Sequence, residues 1–430
     1  MKGFKTLQRV ERLGEIKLSL GLKLVAQGPP QTFIGEVCDI LDMQNQLVTQ
    51  AEVLGFEKTK VFLMPFSNIN ISLGFRVRAT GQALTIPVGN AILGRVVDSF
   101  VNPLDNLGPL RCQECVSLQR TKINPLQRQP IKERLLSGIH AIDCFLPLGK
   151  GQRIGLFAGS GVGKSVLLGL ISKQINSEIN VIALIGERGR EVNDFLQNNL
   201  DEASLKKTVV VVACSDESAL MRKQAVYTAT AIAEFFCRQG KDVMLLMDSI
   251  TRFAMAQREI GLSLGEPPTA RGYTPSVFAL LPGVVERAGN FVGQGSITAL
   301  YTVLVEGDDF NEPVADNMRA LLDGHIVLTR ELAQRGHYPA IDILQSVSRL
   351  AAQLLSAEEQ KQIQLIISLL SLYHQNKALI EVGAYKPGQN LKLDYAVERI
   401  DAINQLLIQR MEKSLTMEAL EKQFAEICDE

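Results

Sequence analysis

The chain has 430 residues, of which 45 are lysine or arginine and 46 aspartate or glutamate, a formal net charge of −1. Hydrophobic residues make up 46% and charged residues 21%, which is typical of a globular protein with several cores. These values exclude collagen-like, disordered and small disulfide-scaffold proteins, and they argue against a globally basic nucleic-acid binder. Apolar stretches are shorter than the ~20 residues of a transmembrane helix, and charges run through the start of the chain. We therefore expect neither a membrane span nor a secretory signal.

The seven cysteines fit a reducing cytoplasm better than a disulfide framework, so we expect a cytoplasmic location. Cys112 and Cys115 form one CxxC, and a second pair at zinc-finger spacing is absent from the sequence. We interpret the two as ordinary thiols in a connecting segment and keep a metal or redox role as the alternative.

The first part of the chain changes pattern twice. Apolar residues recur at helical spacing from Phe4 to Leu20, which predicts a helix over residues 1–25. Its basic residues outnumber its acidic ones, so it could pack on its own domain or dock a partner or an anionic membrane. Residues 26–90 carry short apolar runs between glycines and prolines, a pattern typical of a small β-barrel. Residues 102–130 are rich in proline and glycine and predict a connection.

The remainder of the chain predicts an α/β core followed by helices. From about residue 150 to 350, short and nearly continuous apolar runs alternate with helical stretches, as expected for strands of a parallel sheet buried on both faces. From 351 onward the pattern is helical, with one proline, Pro387. We therefore predict a helix and β-barrel in residues 1–90, a parallel-sheet core in 91–350 and a helical domain in 351–430.

A glycine-rich segment, AGSGVGKS at residues 158–165, follows an apolar run and precedes an apolar helical stretch. This context is the one a phosphate-binding loop requires, because glycines let backbone N–H groups approach phosphates and the helix N-terminus adds positive potential. Lys164 would reach the β- and γ-phosphates, and Ser165 would ligate Mg²⁺. Ala158 stands where the strict pattern has glycine. The other residues predicted to bind the nucleotide are Gly159, Ser160, Gly161, Val162, Gly163 and Val166.

Two acidic residues end predicted strands after this loop. Asp248 follows the apolar run 243–247 and is the expected second magnesium anchor, with a helix cap as the alternative. Glu187 follows the run 181–185 and could position or deprotonate water, although an acid in a charged turn is often merely solvated. Both would meet the loop at the carboxyl edge of a parallel sheet.

Five stretches together carry a specific resemblance: 157–165, GERGREV at 186–192, GEPPTARGYTPSVF at 265–278, VEGDDFNEP at 305–313 and RGHYPAIDILQSVSR at 335–349. With them the chain resembles the catalytic subunits of rotary ATP synthases, and within that family the hexameric export ATPases of flagella and type III secretion injectisomes. The resemblance implies a RecA-like P-loop ATPase core that binds ATP and Mg²⁺.

The resemblance also implies roles for four residues. Glu187 would polarise the attacking water, and Arg188 would contact the surroundings of the phosphate or Mg²⁺. Tyr338 would stack on adenine, with an ordinary half-buried tyrosine as the alternative. Arg349 would be an arginine finger that reaches a neighbouring subunit's γ-phosphate, with a salt-bridged arginine as the alternative.

The function implied is ATP hydrolysis by a homohexamer that drives chaperone release, unfolding and secretion of proteins at the cytoplasmic face of the inner membrane. The implied partners are a stator-like regulator, central-stalk proteins, chaperone–substrate complexes and a membrane export gate; nucleic acid is not expected. The sequence leaves the flagellar and injectisome systems both open.

Three other functions compete with protein export. An ATP synthase catalytic subunit is disfavoured by the short helical tail, which lacks the acidic loop of those subunits. A Rho-like RNA translocase is disfavoured because acidic residues slightly outnumber basic ones in the barrel segment. A non-catalytic scaffold subunit is disfavoured by the joint presence of the five charged or hydroxyl-bearing residues Lys164, Ser165, Glu187, Asp248 and Arg349.

Overall fold

Six antiparallel strands at the start of the described chain close into a barrel. The computed structural model describes residues 11–67, 69–119, 123–305, 307, 309–409 and 417–428, without the side chains of Met417 and Glu421. The barrel strands, hydrogen-bonded in the order β1–β2–β5–β4–β3–β6, are β1 (Leu13–Leu20), β2 (Lys23–Gln27), β3 (Glu36–Leu41), β4 (Leu47–Glu57), β5 (Lys60–Pro65) and β6 (Arg76–Ala83). Ile16, Cys38 and Leu63 are among the residues fully buried inside it. The predicted β-barrel is thereby confirmed.

The helix predicted over residues 1–25 is wrong wherever the structure describes that segment, because β1 and β2 form a hairpin there; residues 1–10 lie outside the described residues. The apolar spacing was misleading, since of the residues that carry it Ile16 points into the barrel whereas Leu13 and Leu20 lie outside and are 41% and 54% exposed. Gly21, at φ 55°, provides the tight turn between the strands. That glycine was the hairpin signal in the sequence.

Short elements connect the barrel to the core. They are β7 (Thr85–Val88), β8 (Val96–Val97), β9 (Glu114–Ser117), β10 (Arg134–Leu135), α1 (His140–Phe145) and β11 (Leu148–Gly149). β7 pairs with β9, and β10 pairs with β11. Cys112 and Cys115 lie in and beside this connection as free thiols, and Cys115 is exposed. Over the described part of the chain, no three His, Cys, Asp or Glu side chains cluster closely enough to hold a metal ion by themselves.

The core is a mostly parallel sheet of nine described strands in the order β19–β18–β12–β17–β15–β13–β14–β8, with β16 beside β17. The strands are β12 (Arg153–Ala158), β13 (Ile179–Ile185), β14 (Thr208–Ala213), β15 (Val243–Asp248), β16 (Gly289–Asn290), β17 (Ser296–Leu304), β18 (Gly324–Leu328) and β19 (Val347–Ser348). Only β16 and β19 run antiparallel to their described neighbours. Every residue of β13, β14 and β15 is buried, as predicted for strands covered on both faces.

Helices flank this sheet and form the end of the chain. Those of the core are α2 (Lys164–Gln174), α3 (Gly189–Asn199), α4 (Glu202–Lys206), α5 (Ala219–Arg238), α6 (Ile250–Leu264), α7 (Pro275–Val285), α8 (Pro313–Leu321) and α9 (Arg330–Gln334). The last four are α10 (Ala351–Leu354), α11 (Ala357–Glu381), α12 (Leu391–Leu407) and α13 (Met417–Cys428), which confirms the predicted helical end. Among the described helices, none combines the length and apolar character needed to cross a membrane.

A buried ion pair fixes α5 to the turn after α7. Arg287 donates Nε and Nη2 to the two carboxylate oxygens of Glu234 at 2.7 and 2.9 Å, and the side chains are 7% and 6% exposed. Removing one partner of such a pair leaves the other charge buried, which is more costly than losing an exposed pair.

We expect Glu234→Ala to lower the free energy of unfolding by ~3–5 kcal/mol, because it leaves the Arg287 guanidinium buried without its carboxylate partner. Urea unfolding followed by circular dichroism measures this. Lys241→Ala is the control, since it removes a half-exposed pair with Glu178 whose contribution should be under ~1 kcal/mol. Equal unfolding midpoints for the two variants would contradict the assignment of the buried pair as a stabilising contact.

Candidate active site

The loop between β12 and α2 turns its backbone toward the carboxyl edge of the sheet. Gly161 and Gly163 have φ of 80° and 91°, the left-handed region that glycine adopts without strain. α2 begins at Lys164, so its first N–H groups have no partner within the helix and are free to bind an anion. Val162 is buried beneath the loop, while Ser165 is exposed at its mouth.

Three charged side chains converge below this loop, one from the start of α2 and two from the ends of neighbouring strands. The Lys164 ammonium contacts Asp248 Oδ1 and lies 3.6 Å from Glu187 Oε1. β13 and β15 are paired in parallel, and their ends therefore carry Glu187 and Asp248 to the same edge. The Thr302 hydroxyl on β17 donates to Asp248 Oδ1 at 2.8 Å. A hydrogen bond and an ion pair to the same oxygen therefore hold the Asp248 carboxylate in place.

Glu187 has the pKa of a group that can exchange protons near neutrality. Burial raises the pKa of its carboxyl to about 7, against the opposing effect of Lys164 and with a further rise from Asp248 and a hydrogen bond with Glu191. The same hydrogen bond, as the largest cause, holds the pKa of Glu191 below its usual range. Such a pair of carboxyls beside an anion-binding loop is suited to taking a proton from water.

A cavity of about 660 Å³ adjoins the loop on the side of Tyr338. The Tyr338 ring packs on the loop, since a Cβ added to Gly163 would lie only 3.4 Å from its Cε1 atom. The ring is also 45% exposed and so has surface available to stack on a planar base. The other apolar side chains that line the cavity are those of Val162, Val166, Leu167, Leu170, Leu328, Pro339, Ala340 and Ile408.

Two of the predicted site residues do not join the cluster within one subunit. The Arg188 side chain is 82% exposed, and its Nη1 lies 3.9 Å from Glu191 Oε1. Arg349 follows β19, which pairs with the first residues of β18, whereas the phosphate loop is level with Leu328 at the other end of that strand. The main-chain N–H of Arg349 donates to the Asp323 carbonyl, and the five residues of chain from there to Leu328 span about 16 Å. The Arg349 guanidinium instead donates to the main-chain carbonyl of Arg319 at 3.0 Å.

Comparison with known proteins identifies the family. Residues 138–348 match the nucleotide-binding domain of the ATP synthase alpha/beta family, and residues 355–426 match the T3SS EscN ATPase C-terminal domain. A flagellum-specific ATP synthase of Bacillus subtilis is 47% identical over 410 residues, which cover 95% of this chain and 93% of that protein. The chain belongs to the family of flagellar and type III secretion ATPases.

Solved structures of this export ATPase family agree over nearly the whole chain. The assembled ATPase EscN of enteropathogenic E. coli is 41% identical, covers 97% of this chain and 100% of its own, and superposes with a TM-score of 0.92. EscN in complex with its central stalk EscO is 40% identical with the same coverage and a TM-score of 0.89. The match of the C-terminal helices sets this ATPase apart from ATP synthase catalytic subunits, as the resemblance implied.

Sequence reasoning missed three polar residues in the site of this export ATPase. Glu191 stands four positions after Glu187, a spacing that could have suggested the carboxyl pair. Thr302 is a hydroxyl in an otherwise apolar strand, but only the pairing of β15 with β17 shows that it faces Asp248. Gln409 lines the Tyr338 cavity from beyond α12, and its sequence position offered no signal of that.

Proposed function

We propose that this chain is a motor ATPase of protein export that hydrolyses MgATP at the interfaces of a homohexamer. One observation carries the proposal: Lys164, Glu187 and Asp248 converge at the loop, while the main chain of Arg349 lies about 16 Å away along the sheet of the same subunit. An arginine that cannot reach its own loop, yet is exposed at a sheet edge, is suited to completing a neighbour's site.

The chain's own residues supply the binding of the triphosphate. The N–H groups of the loop and of the first turn of α2 bind phosphate oxygens, and Lys164 exchanges its contact with Asp248 for the β- and γ-phosphates. The Ser165 hydroxyl and the Asp248 carboxylate are hard oxygen donors and fit Mg²⁺, which usually takes one or two protein ligands together with phosphate oxygens. When bound, this ion neutralises charge that develops between the phosphates. Adenine stacks on Tyr338.

Hydrolysis then requires a water held in line with the γ-phosphate. Glu187 orients this water and accepts its proton as the water oxygen bonds to phosphorus and the bond from phosphorus to the ADP oxygen breaks. Arg349 of the neighbouring subunit stabilises the charge on the equatorial oxygens. The Arg188 side chain lies at the rim of the site and would contact phosphate once it turned away from Glu191. We therefore assign Arg188 to phosphate binding.

The partners follow by likeness to the relatives. We propose a ring around a central-stalk protein, supported by the likeness to assembled EscN and to its complex with EscO. Val382, just after α11, and Leu391, the first residue of α12, are 75% and 81% exposed, and we place partner contacts at this end of the two helices. The other partners that we propose are a stator-like regulator, chaperone–substrate complexes and an export gate at the cytoplasmic face of the inner membrane. ATP hydrolysis would drive the unfolding and secretion of proteins there.

Steady-state ATP hydrolysis against protein concentration tests the proposal, with mass photometry on the same samples. Specific activity should rise steeply as hexamers form, because each site needs an arginine from its neighbour. Concentration-independent activity from a monomer would contradict the interfacial site.

The pH dependence of kcat/KM reports the free enzyme, in which the pKa of Glu187 is about 7. A base must be deprotonated, so we expect kcat/KM to be high above pH 7 and to fall as the pH drops through that value. Glu217→Gln is the control. Burial also raises the pKa of the Glu217 carboxyl, but that carboxyl lies outside the charged cluster at the loop, so this variant should keep the same pH profile of kcat/KM. A kcat/KM that stays constant between pH 6 and 8 would show that Glu187 is not the base.

A further inference from the structure

One glutamine fastens the end of α12 to the cavity beside Tyr338. Gln409 is only 5% exposed. Its main-chain N–H donates to the Tyr338 carbonyl at 2.9 Å. Its side chain accepts at Oε1 from the His140 N–H at 3.0 Å and donates from Nε2 to the Gly138 carbonyl at 2.8 Å. Three segments far apart in sequence, at residues 138–140, 338 and 409, therefore meet at this glutamine, the first through its side chain and the second through its main chain.

These bonds satisfy main-chain polar groups that have no hydrogen-bond partner within their own helix. The His140 N–H belongs to the first turn of α1 and has no acceptor within that helix. The His140 ring in turn hydrogen-bonds to the main chain of Leu406 in the last turn of α12. The start of α1 and the end of α12 are thus joined by two side chains, that of His140 in α1 and that of Gln409 just after α12. Buried polar groups that lose such partners are costly, so this junction has one preferred arrangement.

The junction is also a wall of the base cavity. Ile408 and Gln409 line that cavity together with Tyr338, and they reach it only because the chain leaves α12 at this point. The position of the Tyr338 segment and that of the C-terminal helices are therefore set by the same set of bonds.

We propose that Gln409 is a positioning residue for the nucleotide base, holding Tyr338 and Ile408 at the separation that the base requires. This rests on the proposed function, in which adenine stacks on Tyr338. By linkage, base binding then stabilises the docked position of α12, and undocking of α12 weakens base binding.

Isothermal titration calorimetry of the full-length chain with MgATP and with magnesium tripolyphosphate, which has no base, tests the proposal. Gln409→Ala should weaken MgATP binding about tenfold and leave tripolyphosphate binding unchanged. Its kcat at saturating ATP should stay within about twofold, as expected for a change in base binding alone. Gln360→Ala is the matched control, because Gln360 also ties main-chain carbonyls, of Ala352 and Leu355, but lies away from the cavity; it should change neither affinity.

Tyr338→Ala separates the proposed role of Gln409 from the proposal that adenine stacks on Tyr338. If Tyr338→Ala weakens MgATP selectively and Gln409→Ala does not, the role of Gln409 is overturned while the base site stands. If neither variant changes the ratio of the two affinities, the base site itself is overturned. Equal weakening of both ligands by Gln409→Ala would show a general structural role and also overturn the proposal. Should Gln409→Ala fail to fold, Gln409→Glu keeps the acceptor for His140 and should give a smaller selective loss.

Discussion

Glu187→Gln is expected to bind MgATP with nearly unchanged affinity and to lose about 10²- to 10³-fold in turnover. The glutamine keeps the size and hydrogen-bonding reach of the side chain, but it cannot take a proton from water. Its neutral amide also matches the carboxyl in the protonated form that burial favours, so the local structure should hold. Single-turnover hydrolysis of bound ATP measures the chemical step without product release.

Glu217→Gln is again the matched control, since it neutralises a half-buried carboxyl after β14 that no step requires. Its turnover should equal that of the unmodified enzyme. Unchanged turnover in Glu187→Gln would exclude this carboxyl as the base. Loss of ATP binding in the same variant would show that Glu187 acts in holding Lys164 rather than in the chemical step.

Arg349→Ala should lose about 10³- to 10⁵-fold in turnover within the assembled ring, the effect of removing an arginine finger. The side chain is exposed, and its guanidinium donates to the Arg319 main-chain carbonyl. We therefore expect neither the fold nor the ATP affinity of the isolated subunit to change. ATPase assays at a protein concentration where mass photometry shows hexamers measure the loss.

Arg335→Ala is the matched control for this prediction. That arginine is also exposed and forms a surface ion pair with Glu331 on α9, a contact expected to contribute little. Turnover should be unaffected. Full activity in Arg349→Ala hexamers would remove the finger role, and failure to form hexamers would assign Arg349 to assembly instead.

The parts of the site that follow from local sequence were predictable. A phosphate loop is built from consecutive residues, 158–165, and its glycines, lysine and serine carry both its conformation and its chemistry. Asp248 and Glu187 could be placed as well, because each directly follows a strand apolar enough to be read as buried. In a parallel sheet the ends of such strands share one edge.

The parts that depend on pairing between distant elements were not predictable. Apolar spacing at the start of the chain indicated a helix, whereas Ile16 points into the barrel and Leu20, on the same spacing, lies outside it. The contact of Thr302 with Asp248 depends on which strand lies beside β15. The position of Gln409 depends on how the C-terminal helices dock on the core. In each case tertiary packing, and not local pattern, decides which atoms meet.

Mixing two inactive variants tests the interfacial site most directly. Lys164→Ala subunits lack the phosphate-binding ammonium but keep Arg349, and Arg349→Ala subunits keep the loop but lack the arginine. With mixed hexamers confirmed by native mass spectrometry, we expect ATPase activity to return, because some interfaces join an intact loop to an intact arginine. Mixing Lys164→Ala subunits with the Lys164→Ala, Arg349→Ala double variant should restore none. If mixed rings of the two single variants remain as inactive as each variant alone, that result would contradict an active site shared between neighbouring subunits.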